Sequence, residues 1–99
     1  MAYEVRLAPN ESVERWQFQF PEVTCTNSVE QLKKCITDDK RVLFVCVPTK
    51  ETYEERFKEY PDKPEYQPEA TICTGLVQEV YESDKIIVQT ENSVYVIIE

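Results

Sequence analysis

The chain contains no histidine and one glycine, Gly75. Without histidine, Ser-His-Asp and Cys-His nucleophilic chemistry has no base. With a single glycine, the glycine-rich loops that cradle phosphates are excluded. The four cysteines, Cys25, Cys35, Cys46 and Cys73, never stand as CxxC. The close paired ligands of zinc fingers and ribbons are therefore missing, and no metal or cofactor is expected. The chain shows no basic-plus-apolar leader and no apolar run long enough to span a bilayer, so a cytoplasmic protein is expected. Bases are few. Eleven Lys and Arg face nineteen Asp and Glu, for a net charge of −8. Such a surface repels phosphates and anionic membranes, which disfavours direct binding to either.

What remains is enough for one domain, residues 1–99, with 41% hydrophobic residues to build a core. "YEVRL" at 3–7 alternates like a short strand. "ERWQFQF" at 14–20 puts Trp16, Phe18 and Phe20 at period two, with Arg15, Gln17 and Gln19 between them, and predicts a half-buried strand. "TNSVEQLKKCI" at 26–36 carries a capping box, Asn27 with Glu30, and an apolar stripe of Val29, Leu32, Cys35 and Ile36, so it predicts a helix. "RVLFVCV" at 41–47 reads as a central strand covered on both faces. Thr49 caps a second predicted helix over 50–60, with Tyr53, Phe57 and Tyr60 along one stripe and a Glu54–Lys58 pair. Three prolines make 61–70 an extended loop. Strands at 71–81, 85–90 and 93–99, joined by short polar turns, form a meander, with a bulge or bend expected at Gly75. The expected fold is α+β: two short helices against a mainly antiparallel, curled sheet ending in a three-stranded meander. The cysteines sit among apolar or small neighbours and are expected to be reduced, structural thiols.

The stretch "TGLVQEVYESDKIIVQTENSVYVI", residues 74–97, with Thr90-x-Asn92-Ser93-x-Tyr95, resembles the C-terminal hairpins of short uncharacterised proteins from bacteria and their phages. That resemblance implies a mobile-element origin, a bacterial host cytoplasm and, because small acidic phage proteins are often inhibitors of host systems, an anti-defence role. It carries no site residues across.

"VLFVC" at 42–46 resembles the strand that delivers the nucleophile in low-molecular-weight tyrosine phosphatases, a family that continues Cys-x5-Arg-Ser. Here Thr52 and Tyr53 stand at the arginine and serine positions, and Pro48 removes a loop amide. Cys46 is therefore read as a core cysteine. Carboxylate pairs are plentiful, but a glycosidase pair needs a cleft and one raised pKa. Asp38-Asp39 and Glu54-Glu55 lack calcium-loop spacing. The chain is read as a non-enzyme.

The most charged stretch, "ETYEERFKEYPDKPEYQPEA" at 51–70, holds seven acids and three bases, a local charge of −4. Acids steer a basic partner and tyrosines anchor it. The expected function is a small acidic protein-binding protein: a nucleic-acid mimic that inhibits by occupying a basic surface of a host protein. The expected contact residues are Glu51, Glu54, Glu55, Glu59, Asp62, Glu65, Tyr66 and Glu69, with Tyr66 projecting from the loop. Two alternatives are a small-molecule or nucleotide-sequestering module, with Trp16 as a stacking platform, and a structural subunit that self-associates into a homo-oligomer through a sheet edge.

Overall fold

The computed structural model describes residues 2–62, 64–68 and 70–98. The chain forms β1 (Ala2–Leu7), α1 (Asn10–Gln19), β2 (Thr24–Thr26), α2 (Val29–Thr37), β3 (Val42–Pro48), α3 (Lys50–Phe57), β4 (Cys73–Glu82), β5 (Ile86–Thr90) and β6 (Val94–Ile97). The fold is α+β, with a mostly antiparallel six-stranded sheet ordered β1-β6-β5-β4-β3-β2. A further pairing of β1 with β3 closes this sheet into a barrel.

β3 organises the molecule because both its faces are apolar. Val42, Phe44 and Cys46 join Val5, Cys73, Val88 and Tyr95 in one core cluster, which Leu32 and Cys35 of α2 complete. The alternate residues Val45 and Val47, with half-buried Leu43, join Ala8, Val23 and Cys25 in a second cluster. One edge of β3 pairs antiparallel with β4, with Cys46 opposite Cys73. Its other edge is shared, taking β2 in parallel over Val42–Phe44 and then β1 antiparallel over Cys46–Pro48.

The C-terminal meander forms as expected from its polar turns. The irregularity in β4–β5 pairing falls between Val77 and Glu79, three residues past Gly75. The role of Gly75 is close approach: a Cβ there would stand 3.0 Å from Cβ and Cγ2 of Thr90. Thr90 in turn holds the β5–β6 turn, its hydroxyl donating to Ser93 O at 3.0 Å and accepting from Ser93 N at 3.1 Å.

The structure has three helices where two were expected. Residues 14–20 are not a strand, because residues 10–19 form helix α1. Pro9 starts the helix, its carbonyl accepting from Ser12 N and Val13 N, and Glu11 in the first turn complements the dipole. The face that packs is Val13 and Trp16 against the second cluster. Trp16 stacks on Phe20 at 5.5 Å, whereas Phe18 is 89% exposed. The alternation of aromatics thus does not mark one buried face, and no sheet platform carries Trp16.

Gln17, expected on the polar side of a strand, instead clamps β2. Its amide nitrogen donates to Phe20 O at 3.1 Å and Val23 O at 2.8 Å, and its oxygen accepts from Cys25 N at 2.9 Å. The side chain covers backbone groups that an edge strand would otherwise present to other chains. Gln17→Ala is expected to cost about 1–2 kcal/mol, because backbone groups lose their partners. Gln19→Ala, on the exposed side of the same helix, should stay within about 0.5 kcal/mol. Urea midpoints and exchange of the Cys25 amide check this; equal effects of the two variants would refute the clamp.

The other helices start where side chains can cap them. α2 is capped by Ser28, whose hydroxyl accepts from Gln31 N at 3.3 Å. Asn27, the expected cap, donates instead to Ala8 O at 2.6 Å and Asn10 Oδ1 at 2.9 Å, tying the two helix starts together. Asp39 takes a left-handed φ of 56° and closes α2, with Lys40 N donating to Cys35 O at 2.8 Å. α3 is capped by Thr49 as expected, its hydroxyl accepting from Thr52 N at 3.2 Å. Among the described residues, no helix is long and apolar enough to cross a membrane.

Candidate functional site: an acidic helix and its loop

α3 and the loop that follows form one face, built on an aromatic ladder. Tyr53 is buried, and its ring lies 5.0 Å from Phe57 and 5.5 Å from Tyr66. Phe57 contacts Tyr60 edge-on at 5.4 Å. Two hydroxyls pin the loop to the body of the protein. Tyr53 donates to Pro64 O, and Tyr66 donates to Pro48 O at 2.7 Å. Beyond them Thr71 N donates to Gln67 O at 2.8 Å. The described residues of the proline-rich segment form no helix or strand, and these bonds hold them.

Tyr66 does not project. It is half-buried, with its ring on Tyr53 and its hydroxyl bonded to Pro48 O. Tyr60 is the outward aromatic, 61% exposed. Glu51, Glu54, Glu55, Glu59, Asp62 and Glu65 are all exposed on this face. Glu69 lies outside the described residues. Lys58 pairs with Glu55 at 3.0 Å, three residues back, so the pair differs from the one expected with Glu54. Glu51, Glu59, Asp62 and Glu65 have no ion-pair partner among the described residues.

The second cation of α3 turns inward, which the sequence reading missed. Arg56 is half-buried, with its guanidinium 5.0 Å from the centre of the Tyr3 ring and Nη1 3.1 Å from Cys73 Sγ. The face thus shows its carboxylates while one of its balancing charges is spent inside. The spacing held a hint, since Arg56 falls three residues after the buried Tyr53 on the stripe that faces the barrel.

Beneath α3 lies a thiol pair. The four cysteines are all buried and unpaired. Cys46 and Cys73 stand directly opposite each other across β3 and β4, and the Cys46 thiol reaches Cys73 O at 3.5 Å. Hydrogen bonding from Cys46, helped by the charge of Arg56, outweighs burial and lowers the Cys73 thiol to about 7. Burial and the same thiol contact push Cys46 well above its ordinary value. Burial raises the neighbouring Tyr95 hydroxyl.

Among the described residues, no cluster of three or more metal-ligating side chains occurs. An open depression of about 570 Å³ lies along α1 between Glu11, Glu14, Arg15, Phe18 and Gln19. A groove of about 430 Å³ runs between α3 and the loop, lined by Lys50, Tyr53, Glu54, Pro64, Glu65 and Tyr66. The chain matches no protein-family model, no curated protein and no solved structure.

Proposed function

We propose that this chain is a protein-binding protein that presents the acidic face of α3 and its loop to a basic, nucleic-acid-binding surface of a partner and inhibits by occupying it. The observation that supports this reading is the rigid display of carboxylates. Glu51, Glu59, Asp62 and Glu65 are exposed, while Tyr53 and Tyr66 fasten the backbone that carries them. A preorganised surface loses less conformational freedom on docking than a mobile one. Turned towards Cys73, Arg56 makes no ion pair with these carboxylates among the described residues. A phage or other mobile element acting on a host's defence proteins is the setting that fits the C-terminal resemblance.

The test is capture from a bacterial lysate at low and high salt, followed by competition between duplex DNA and this chain for the captured protein. Mutually exclusive binding is expected. In the triple variant Glu55→Lys, Glu59→Lys and Glu65→Lys the net charge moves from −8 by +6 to −2. Association should slow by about tenfold or more at low salt, and its salt dependence should flatten. Unchanged association of this variant, or a ternary complex with DNA, would refute the proposal.

A further inference from the structure

We propose that Cys73 is a peroxide-reactive thiol and that Cys46 is its resolving partner, so that a hydroperoxide converts the pair into a disulfide joining β3 to β4. This inference is independent of the docking reading above.

The geometry carries it. Residues directly opposite in an antiparallel pair have Cα atoms about 4.5 or 5.5 Å apart, and both spacings fall within the range a disulfide spans. Cys46 and Cys73 are such a pair. Cys73 is the first residue of β4 and follows the half-buried Thr71 and Ile72, so it sits where the strand emerges. Arg56 approaches its sulfur at 3.1 Å and is held there by the Tyr3 ring. A guanidinium on sulfur favours the thiolate, which is the form that attacks. The titratable and charged groups facing Cys73 are Cys46 from β3, Arg56 from α3 and Tyr95 from β6, with Tyr3 of β1 behind Arg56. No carboxylate is among them.

Cys25 supplies an internal comparison. As whole residues the two are similarly exposed, 6% against 7%, but the Cys73 sulfur lies deeper. Burial and the nearby Glu22 raise its pKa, whereas Cys73 lies at about 7. The Cys25 sulfur is the shallower of the two, so faster reaction of Cys73 runs against access and reports electrostatics.

The chemistry balances in two steps. The Cys73 thiolate attacks one peroxide oxygen; the S–O bond forms, the O–O bond breaks, and the departing hydroxide becomes water with the proton that the Cys73 thiol had released. Sulfur has been oxidised by two electrons to a sulfenic acid. The Cys46 sulfur then attacks the Cys73 sulfur, the S–O bond breaks, and the departing hydroxyl leaves as water with the Cys46 proton. The sum is two thiols and one hydrogen peroxide giving one disulfide and two waters. An added dithiol reductant reverses it. Burial holds the proton on Cys46, which slows its attack on the sulfenic acid.

The test uses the intact chain. After brief treatment with hydrogen peroxide, non-reducing peptide mapping should find Cys46 linked to Cys73, with a loss of two hydrogens that dithiothreitol restores. In Cys46→Ser, dimedone should label Cys73. Iodoacetamide at pH 7 should modify Cys73 ahead of Cys25. A thiol titrating near 7 is about half thiolate there, against about 1% for one at the ordinary value of 9.0 and less for Cys25, which burial raises above it; lower intrinsic nucleophilicity returns roughly tenfold, leaving an advantage of at least about fivefold. Arg56→Gln should move the midpoint of the alkylation pH profile upward and slow the reaction at pH 7 by about two- to fivefold. Equal or faster reaction of Cys25, oxidation mapped to other cysteines, or an unmoved pH profile in Arg56→Gln would overturn the proposal. If Cys46→Ser fails to fold, the native mapping and the Arg56→Gln profile decide it alone.

Discussion

Phe44→Ala is expected to destabilise the fold by about 3–5 kcal/mol, the range for removing a fully buried aromatic side chain. Phe44 has no exposed surface and lies at the centre of β3, 6.3 Å from the Tyr95 ring. Its strand joins the two core clusters, so collapse of the vacated space on one face disturbs the other. A domain of this size has total stability on the order of 5–15 kcal/mol, so the loss consumes a large share. The melting midpoint should fall by roughly 15–30 °C. Phe44→Leu keeps most of the volume and should cost less than half as much. Urea and thermal unfolding, followed by Trp16 fluorescence, check both. A loss under about 1 kcal/mol for Phe44→Ala would show that β3 does not hold the core as described.

Tyr66→Ala should cost about 2–3 kcal/mol and do so locally. The side chain contributes a half-buried ring on Tyr53 and one hydrogen bond to Pro48 O. Tyr66→Phe removes only the bond and should cost about 0.5–1.5 kcal/mol. Because the loop is tied at few points, its opening should precede global unfolding. Residues 61–72 of Tyr66→Ala should exchange amide hydrogens faster and be cut earlier by protease, while the strands keep their protection. If the loop stays as protected as in the parent, Tyr66 is not the fastener that its contacts indicate.

The parts of the fold legible in the sequence were those with redundant signals. β3 declared itself through an unbroken apolar run, the meander through polar turns at short intervals, and α3 through a threonine cap. The failure at residues 14–20 has a specific cause. Aromatics at 16, 18 and 20 fit period two, yet Val13 and Trp16 also fit a helix, and the acids Glu11 and Glu14 after Pro9 favour a helix start. The helix signals at Pro9, Glu11 and Glu14 prevail over the period-two spacing of the rings. Gln17 and Tyr66 were misplaced for a related reason. Their roles come from backbone groups distant in sequence, Cys25 N and Pro48 O, which no local pattern encodes. The acids of the candidate face were legible as charge. Arg56 was not legible as an inward group, because its destination is a sulfur on another strand.

The barrel seam of greatest sequence separation lays Ala2–Val5 alongside Val94–Ile97 in parallel. Nothing in the intervening chain can substitute for that contact, so the last seam waits for β6. During synthesis the early strand leaves the ribosome with one side unpaired until nearly the whole domain has followed. Pairings of such long sequence separation are reached late and slowly, since the entropy of closing the chain must be overcome before the contact rewards it. The half-made barrel is the species most open to capture by chaperones or by another copy of itself. The longer that species lives, the more chain is exposed to such capture.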